Sequence, residues 1–75
     1  MPFDTVTKII ADVANCNIED VKPEAELIHL GIDSLKAITV LFELEEAFDI
    51  EIPNELIPSI VTVNDILIKV EEMRG

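Results

Sequence analysis

Gly31-Ile32-Asp33-Ser34-Leu35 leads into the longest stretch of this chain that reads as unbroken helix. From Leu35 to Phe48 almost every residue favours helix and Asp33 is a strong N-cap type, which predicts a helix over 34–48 with Ser34 at its first position. That serine hydroxyl then sits on the rim of a helix N-terminus, where unpaired N–H groups and the macrodipole favour a negative group such as a phosphate ester. No other hydroxyl in the sequence is placed so well to carry one. Asp-Ser at a helix start is, by itself, the ordinary signature of capping. The surrounding sequence has to decide between the two readings.

Placed at about 100° per residue, this helix shows two apolar stripes rather than one. Ala37, Val40, Leu41, Leu44, Ala47 and Phe48 form a broad stripe, wide enough to be the core face. Leu35, Ile38 and Phe42 form a second, with Glu45 on one side and Thr39 and Glu46 on the other. Two arrangements account for a second stripe. Either a small bundle wraps the helix on both sides, or the stripe is a partly exposed docking patch beside Ser34, ringed by acid.

Outward from this helix, Phe3, Val6, Ile9, Ile10 and Val13 repeat at helical spacing with Asp4 or Thr5 as cap, predicting a first helix over 4–15. Residues 16–32 read as a long connection, because Pro23 stops a helix there. Ile18, Val21, Leu27, Ile28 and Leu30 are its expected anchors to the core. Ile52-Pro53-Asn54-Glu55-Leu56-Ile57-Pro58 permits at most a turn or so of helix between two prolines. Thr62 with Asp65 resembles a capping box with a shorter acid, and Val63, Ile66, Leu67, Val70 and Met73 supply the stripe of a last helix ending near Arg74-Gly75. The expected architecture is all-α: a small four-helix bundle with three principal helices, a short third helix, a long first loop and no strand.

With 75 residues the chain is expected to form a single domain, 1–75, burying only about 60% of its unfolded surface. Hydrophobic residues make up 49% but aromatics only 4%, so the core must be built from Ile, Leu and Val. Cys16 has no second cysteine to pair with, which argues for a reducing compartment. The net charge of −11 repels nucleic acid and anionic membranes and attracts basic protein faces. No run is long and apolar enough to span a bilayer, and no basic, hydrophobic targeting start is present. A cytoplasmic, freely diffusing monomer is expected.

The motif, the apolar helix ending Leu44-Glu45-Glu46-Ala47-Phe48, and the Ile52-Pro53 pair together resemble the acyl carrier proteins. The resemblance runs from the first helix through Val63 and the last helix. It implies an antiparallel bundle in which Ser34, flanked by Asp33 and Leu35, bears a covalent 4′-phosphopantetheine arm derived from coenzyme A and holding acyl groups as thioesters. It implies a phosphopantetheinyl transferase as one partner and acyl-loading, acyl-transfer or condensing enzymes with basic docking faces as others. It also favours the docking reading of Leu35, Ile38 and Phe42, with Glu45 and Glu46 steering. Leu41, Leu44, Ile57, Ile60 and Val63 are the candidate apolar lining for the acyl cargo. Lys36 and Thr39 stand where carriers of general fatty acid synthesis usually have acids, and Pro58 interrupts the short helix, which points to a specialised member.

Enzymatic machinery is not expected. The sequence has no Gly-rich phosphate loop, no Cys or His cluster with metal spacing and no serine–histidine–acid set. Asp49-Ile50-Glu51 lacks the alternating ligands and central glycine of a calcium loop. Two rivals stand beside the acyl carrier: a peptidyl or aminoacyl carrier using the same arm, and an unmodified acidic interaction module.

Overall fold

Three α-helices, α1 (Pro2–Ala14), α2 (Ser34–Phe48) and α3 (Val63–Arg74), make up the frame of the computed structural model, which describes residues 2–74. Between them the chain turns in short 3₁₀ segments at Ile18–Asp20 and Leu27–Leu30 and in a longer one at Asn54–Ser59. The bounds of α2 are those read from the sequence. The first helix opens two residues earlier than its predicted Asp4 start, since a helix tolerates proline where its missing N–H would have no partner. Asp4 therefore falls in the first turn, where it complements the dipole rather than capping. Asn15, with φ 59°, takes the left-handed position that ends α1. The last helix matches its prediction through Arg74, and Gly75 lies outside the described residues.

The core is aliphatic throughout. Val6, Ile10 and Ala11 of α1, Val40, Leu41 and Leu44 of α2, and Val63, Ile66 and Val70 of α3 are its helical members. Val21, Leu27, Ile32 and Ile52 plug it from the connections. Thr7, the buried polar side chain of α1, donates its hydroxyl to the Asp4 carbonyl at 3.0 Å.

Several expected core positions lie elsewhere. Ala47 is exposed, because the core face of α2 is narrower than its stripe and this residue lines an open cleft against Asp4 and Lys8 of α1. Ile18 and Ile28 are not anchors but are 51% and 71% exposed. Each sits in a 3₁₀ turn whose inward positions are taken by a neighbour, Val21 or Leu27. Met73 lies beyond Val70, the last buried residue of α3, and faces solvent. The 3₁₀ segment at Asn54–Ser59 runs through Pro58 instead of stopping before it. Proline forfeits one hydrogen bond there, but its fixed φ suits a 3₁₀ turn.

The connection before α2 is ordered by a clasp. Leu27 N–H donates to the Val61 carbonyl at 2.9 Å, Val63 N–H to Ala25 at 3.0 Å and Asn64 N–H to Pro23 at 2.8 Å, around a single antiparallel bridge between Glu26 and Thr62. Thr62 and Asp65 form the expected reciprocal cap. Asp65 N–H donates to Thr62 Oγ1 at 3.2 Å, and Asp65 Oδ2 accepts from Thr62 N–H at 3.0 Å and Val61 N–H at 2.9 Å. Every leading N–H of α3 is thereby occupied.

Candidate functional site: an exposed serine at an open helix start

Gly31 has φ 93°, a left-handed conformation that reverses the chain out of the Leu27–Leu30 turn and that a side chain would strain. Ile32 then drops into the core, its N–H bound to the Leu27 carbonyl at 3.0 Å. With the chain pinned on that side, Asp33 caps α2. Its Oδ1 accepts the Lys36 N–H at 2.9 Å and its carbonyl the Ala37 N–H at 2.8 Å. Ser34 follows as the first helical residue, exposed to solvent.

The two principal helix starts described above differ in one respect. At α3 the clasp and the Thr62–Asp65 cap take up the leading N–H groups. At α2, among the described residues, the N–H groups of Ser34 and Leu35 have no hydrogen-bond acceptor. The start of α2 therefore presents free donors and a positive dipole end beside an exposed hydroxyl.

Next to that hydroxyl lies an open groove of about 450 Å³, to which Asp33 and Ser34 contribute the charged and hydroxyl side chains. Its apolar walls come from Ile28, Ile32 and Ala37 on one side and Ile57, Pro58 and Val61 on the other. Behind it, sharing Leu27, Ile32, Ala37, Ile57 and Ile60, is an enclosed seam of about 10 Å³ that also touches Val40, Leu41 and Ile66. Of the five residues expected to line a cargo pocket, Leu41, Ile57 and Ile60 meet at this seam. Leu44 and Val63 are fully buried elsewhere in the core and line neither space. Leu27, Ile32 and Ala37, read from the sequence as a core anchor, a motif residue and a core-stripe residue, were not expected as cargo lining. For Ile32 and Ala37 the signal was adjacency to the motif, since both lie within three positions of Ser34.

On the other side of α2 the second stripe is largely uncovered by the described residues. Leu35 is 76% and Phe42 59% exposed, and Ile38 is half-buried. Glu46 is exposed. Glu45 is half-buried and already engaged, its Oε2 accepting the Ile52 N–H at 2.7 Å. Lys69 and Arg74 pair with Glu72 and Glu71 on α3, whereas Lys36 has no carboxylate within ion-pair reach among the described residues. Asp65 has its carboxyl held below its ordinary value, chiefly by the Thr62 and Val61 N–H groups, with Thr62 Oγ1 and Lys69 assisting against partial burial. Among the described residues no helix is long and apolar enough to cross a membrane, and no three His, Cys, Asp or Glu side chains are grouped to hold a metal ion.

The sequence pattern of the phosphopantetheine attachment site matches residues 4–68. Among known proteins, the acyl carrier protein of Wolinella succinogenes is 39% identical over 70 residues, 92% of each chain. The acyl carrier protein of Helicobacter pylori strain J99 is 39% identical over 71 residues, 93% of this chain and 91% of its own, and that of strain G27 is 38% identical over a stretch of the same length. With the pattern spanning α1 to α3 and similarity running nearly end to end, the chain belongs to the acyl carrier proteins, a family of non-enzymatic carriers whose covalent cofactor is 4′-phosphopantetheine.

Proposed function

We propose that Ser34 Oγ is the attachment point of the 4′-phosphopantetheine arm and that the protein presents acyl chains to the enzymes of a fatty acid, lipid or polyketide-type pathway. The observation that carries this reading is the open start of α2: an exposed serine with two free N–H donors beside it and an apolar groove against it. The residues present suit the group. The free N–H groups of Ser34 and Leu35 are placed to meet a phosphodiester at the helix end. The walls of Ile28, Ile57 and Val61 offer apolar surface to the rest of the arm. When attached, the arm supplies a terminal thiol on which the acyl group is carried as a thioester.

The protein's own part is positioning. Asp33 keeps the first turn of α2 formed, so the hydroxyl stands clear of the surface for a phosphopantetheinyl transferase. Tethering makes the cargo a partner-addressed substrate at high effective concentration. Leu35, Ile38 and Phe42 are read as the contacts of a docking enzyme, with Glu45 and Glu46 drawing its basic face. The molecule is read as a single cytoplasmic domain acting as a monomer.

Incubation with coenzyme A and a phosphopantetheinyl transferase, followed by intact mass, tests the assignment. The full chain gains one arm and Ser34→Ala gains none. A Ser34→Ala chain that still gains the arm places the site elsewhere.

A further inference from the structure

An enclosed seam of about 10 Å³ has room for one water-sized sphere and no more, so an acyl chain enters it only when a wall moves. The least secured wall is the 3₁₀ segment Asn54–Ser59. None of its residues is buried, and its hydrogen bonds are local, from Leu56 N–H to the Pro53 carbonyl and from Ser59 Oγ to the Leu56 carbonyl. Its leading end is held by the burial of Ile52 and by hydrogen bonds to Glu45. The Glu45 carbonyl accepts the Asp49 N–H and the Ile50 N–H, and its carboxylate accepts the N–H of buried Ile52 at 2.7 Å. Among the described residues, this is the one side-chain hydrogen bond that reaches more than four positions along the chain.

Resting on the reading of Ser34 as the arm's site, we propose that Glu45 is a positioning residue for the cargo. Its carboxylate latches the turn at 49–52, holds Asn54–Ser59 against the seam, and lets go when a guanidinium on a docking enzyme takes it. The surroundings fit a cationic competitor, for Glu46, Asp49 and Glu51 are all exposed close by in sequence and leave a strongly negative corner. A guanidinium engages a carboxylate through both oxygens in one plane, and a partner seated on the solvent side of α2 draws the Glu45 carboxylate outward, away from the Ile52 N–H. The turn then pays to bury an unpaired donor, and opening becomes the cheaper state. Glu45 thus links the docking side of α2 to the cargo side.

Amide hydrogen exchange on the full chain, before any arm is attached, tests this. In Glu45→Ala the amides of Ile52, Leu56 and Ile60 are expected to exchange faster, Ile52 on the order of tenfold or more, with Ile10 of α1 unchanged. Glu45→Gln keeps an acceptor and restores much of the protection. Hexa-arginine amide at low salt is expected to speed the same three amides in the wild type and in Glu46→Gln, but not in Glu45→Gln. Should Glu45→Ala lose protection in α1 as well, it reports general unfolding, and the peptide comparison between wild type and Glu45→Gln decides. The proposal is overturned if Glu45→Ala leaves Ile52 as slow as the wild type, or if the peptide acts equally on Glu45→Gln. Ser34→Ala carries the latch unchanged and gives the same exchange result, so failure here is separate from failure of the attachment assignment, which mass alone decides.

Discussion

Two aspartates, each closing a helix start, set opposite conditions at their sites. Asp33 spends its carboxylate on a single N–H at 2.9 Å and leaves the donors before it free. Asp33→Ala removes the cap, at a cost of about 1 kcal/mol, which lowers the melting temperature by roughly 4–8 °C in a domain of this size. On the proposed attachment at Ser34, it is also expected to slow addition of the arm, because the turn bearing that residue frays. Asp33→Asn caps as well and restores most of the melting temperature; a melt of the three chains checks this. Asp65 accepts two backbone N–H groups and has its carboxyl held below the ordinary 3.8. A lowered folded value means its contribution is complete above 3.8 and is lost as pH falls through that lower value. Asp65→Asn, which accepts without titrating, is expected to weaken the protein at pH 7 but to flatten the decline below pH 3.8, read as melting temperature against pH. An unchanged acid limb in Asp65→Asn rules out this source.

Among the elements, the helices were legible and the connections much less so. The stripes on α1, α2 and α3 repeat at a fixed spacing, and Asp33 and the Thr62–Asp65 pair announce their caps within three residues. The Glu45 to Ile52 bond joins positions outside any helical repeat, so no periodicity foretells it. Ile18 and Ile28 look like anchors in sequence, yet a 3₁₀ turn rather than a helix decides which neighbour faces inward. Of the candidate site, Ser34 and the second stripe on α2 could be picked out from the residues. The partition between Leu41 at the seam and Leu44 in the core could not, because both lie on one helical face. The engagement of Glu45 alters how docking should be probed. Reversing Glu45 disturbs the turn as well as the surface, so Glu46→Lys is the cleaner probe of steering. It is expected to slow association with an acyl-handling enzyme and weaken its salt dependence, while Phe42→Ala quickens dissociation. Stopped-flow rates at low and high salt separate the two, and equal effects on association from both variants would refute the division.

At the scale of the whole molecule, sixteen acids face five bases on a core of small aliphatic side chains. Self-repulsion is therefore expected to limit the stability, and added salt or millimolar magnesium to raise the melting temperature at neutral pH. A melting temperature indifferent to both would remove charge as the limiting factor. Cargo adds a second test. Each methylene sheltered between α2 and Asn54–Ser59 gains roughly 0.8 kcal/mol, less the cost of opening the seam. The acylated protein is expected to melt above the form with the bare arm, with chemical shifts moving at Leu41, Ile57 and Ile60. If it melts no higher and those signals stay still, the chain travels outside the fold.

The clasp between the 23–27 strip and the start of α3 has a mechanical consequence. With the arm on Ser34, as proposed, an arm drawn into an enzyme is a handle, and tension on it would enter the protein at the Cα of that residue. On the N-terminal side the pull runs through Gly31 to Leu27, where the Val61 carbonyl passes it to the root of α3. On the C-terminal side it is taken up by the backbone ladder of α2. The tether is thus moored to two helices at once, and withdrawing a cargo loads both rather than peeling one.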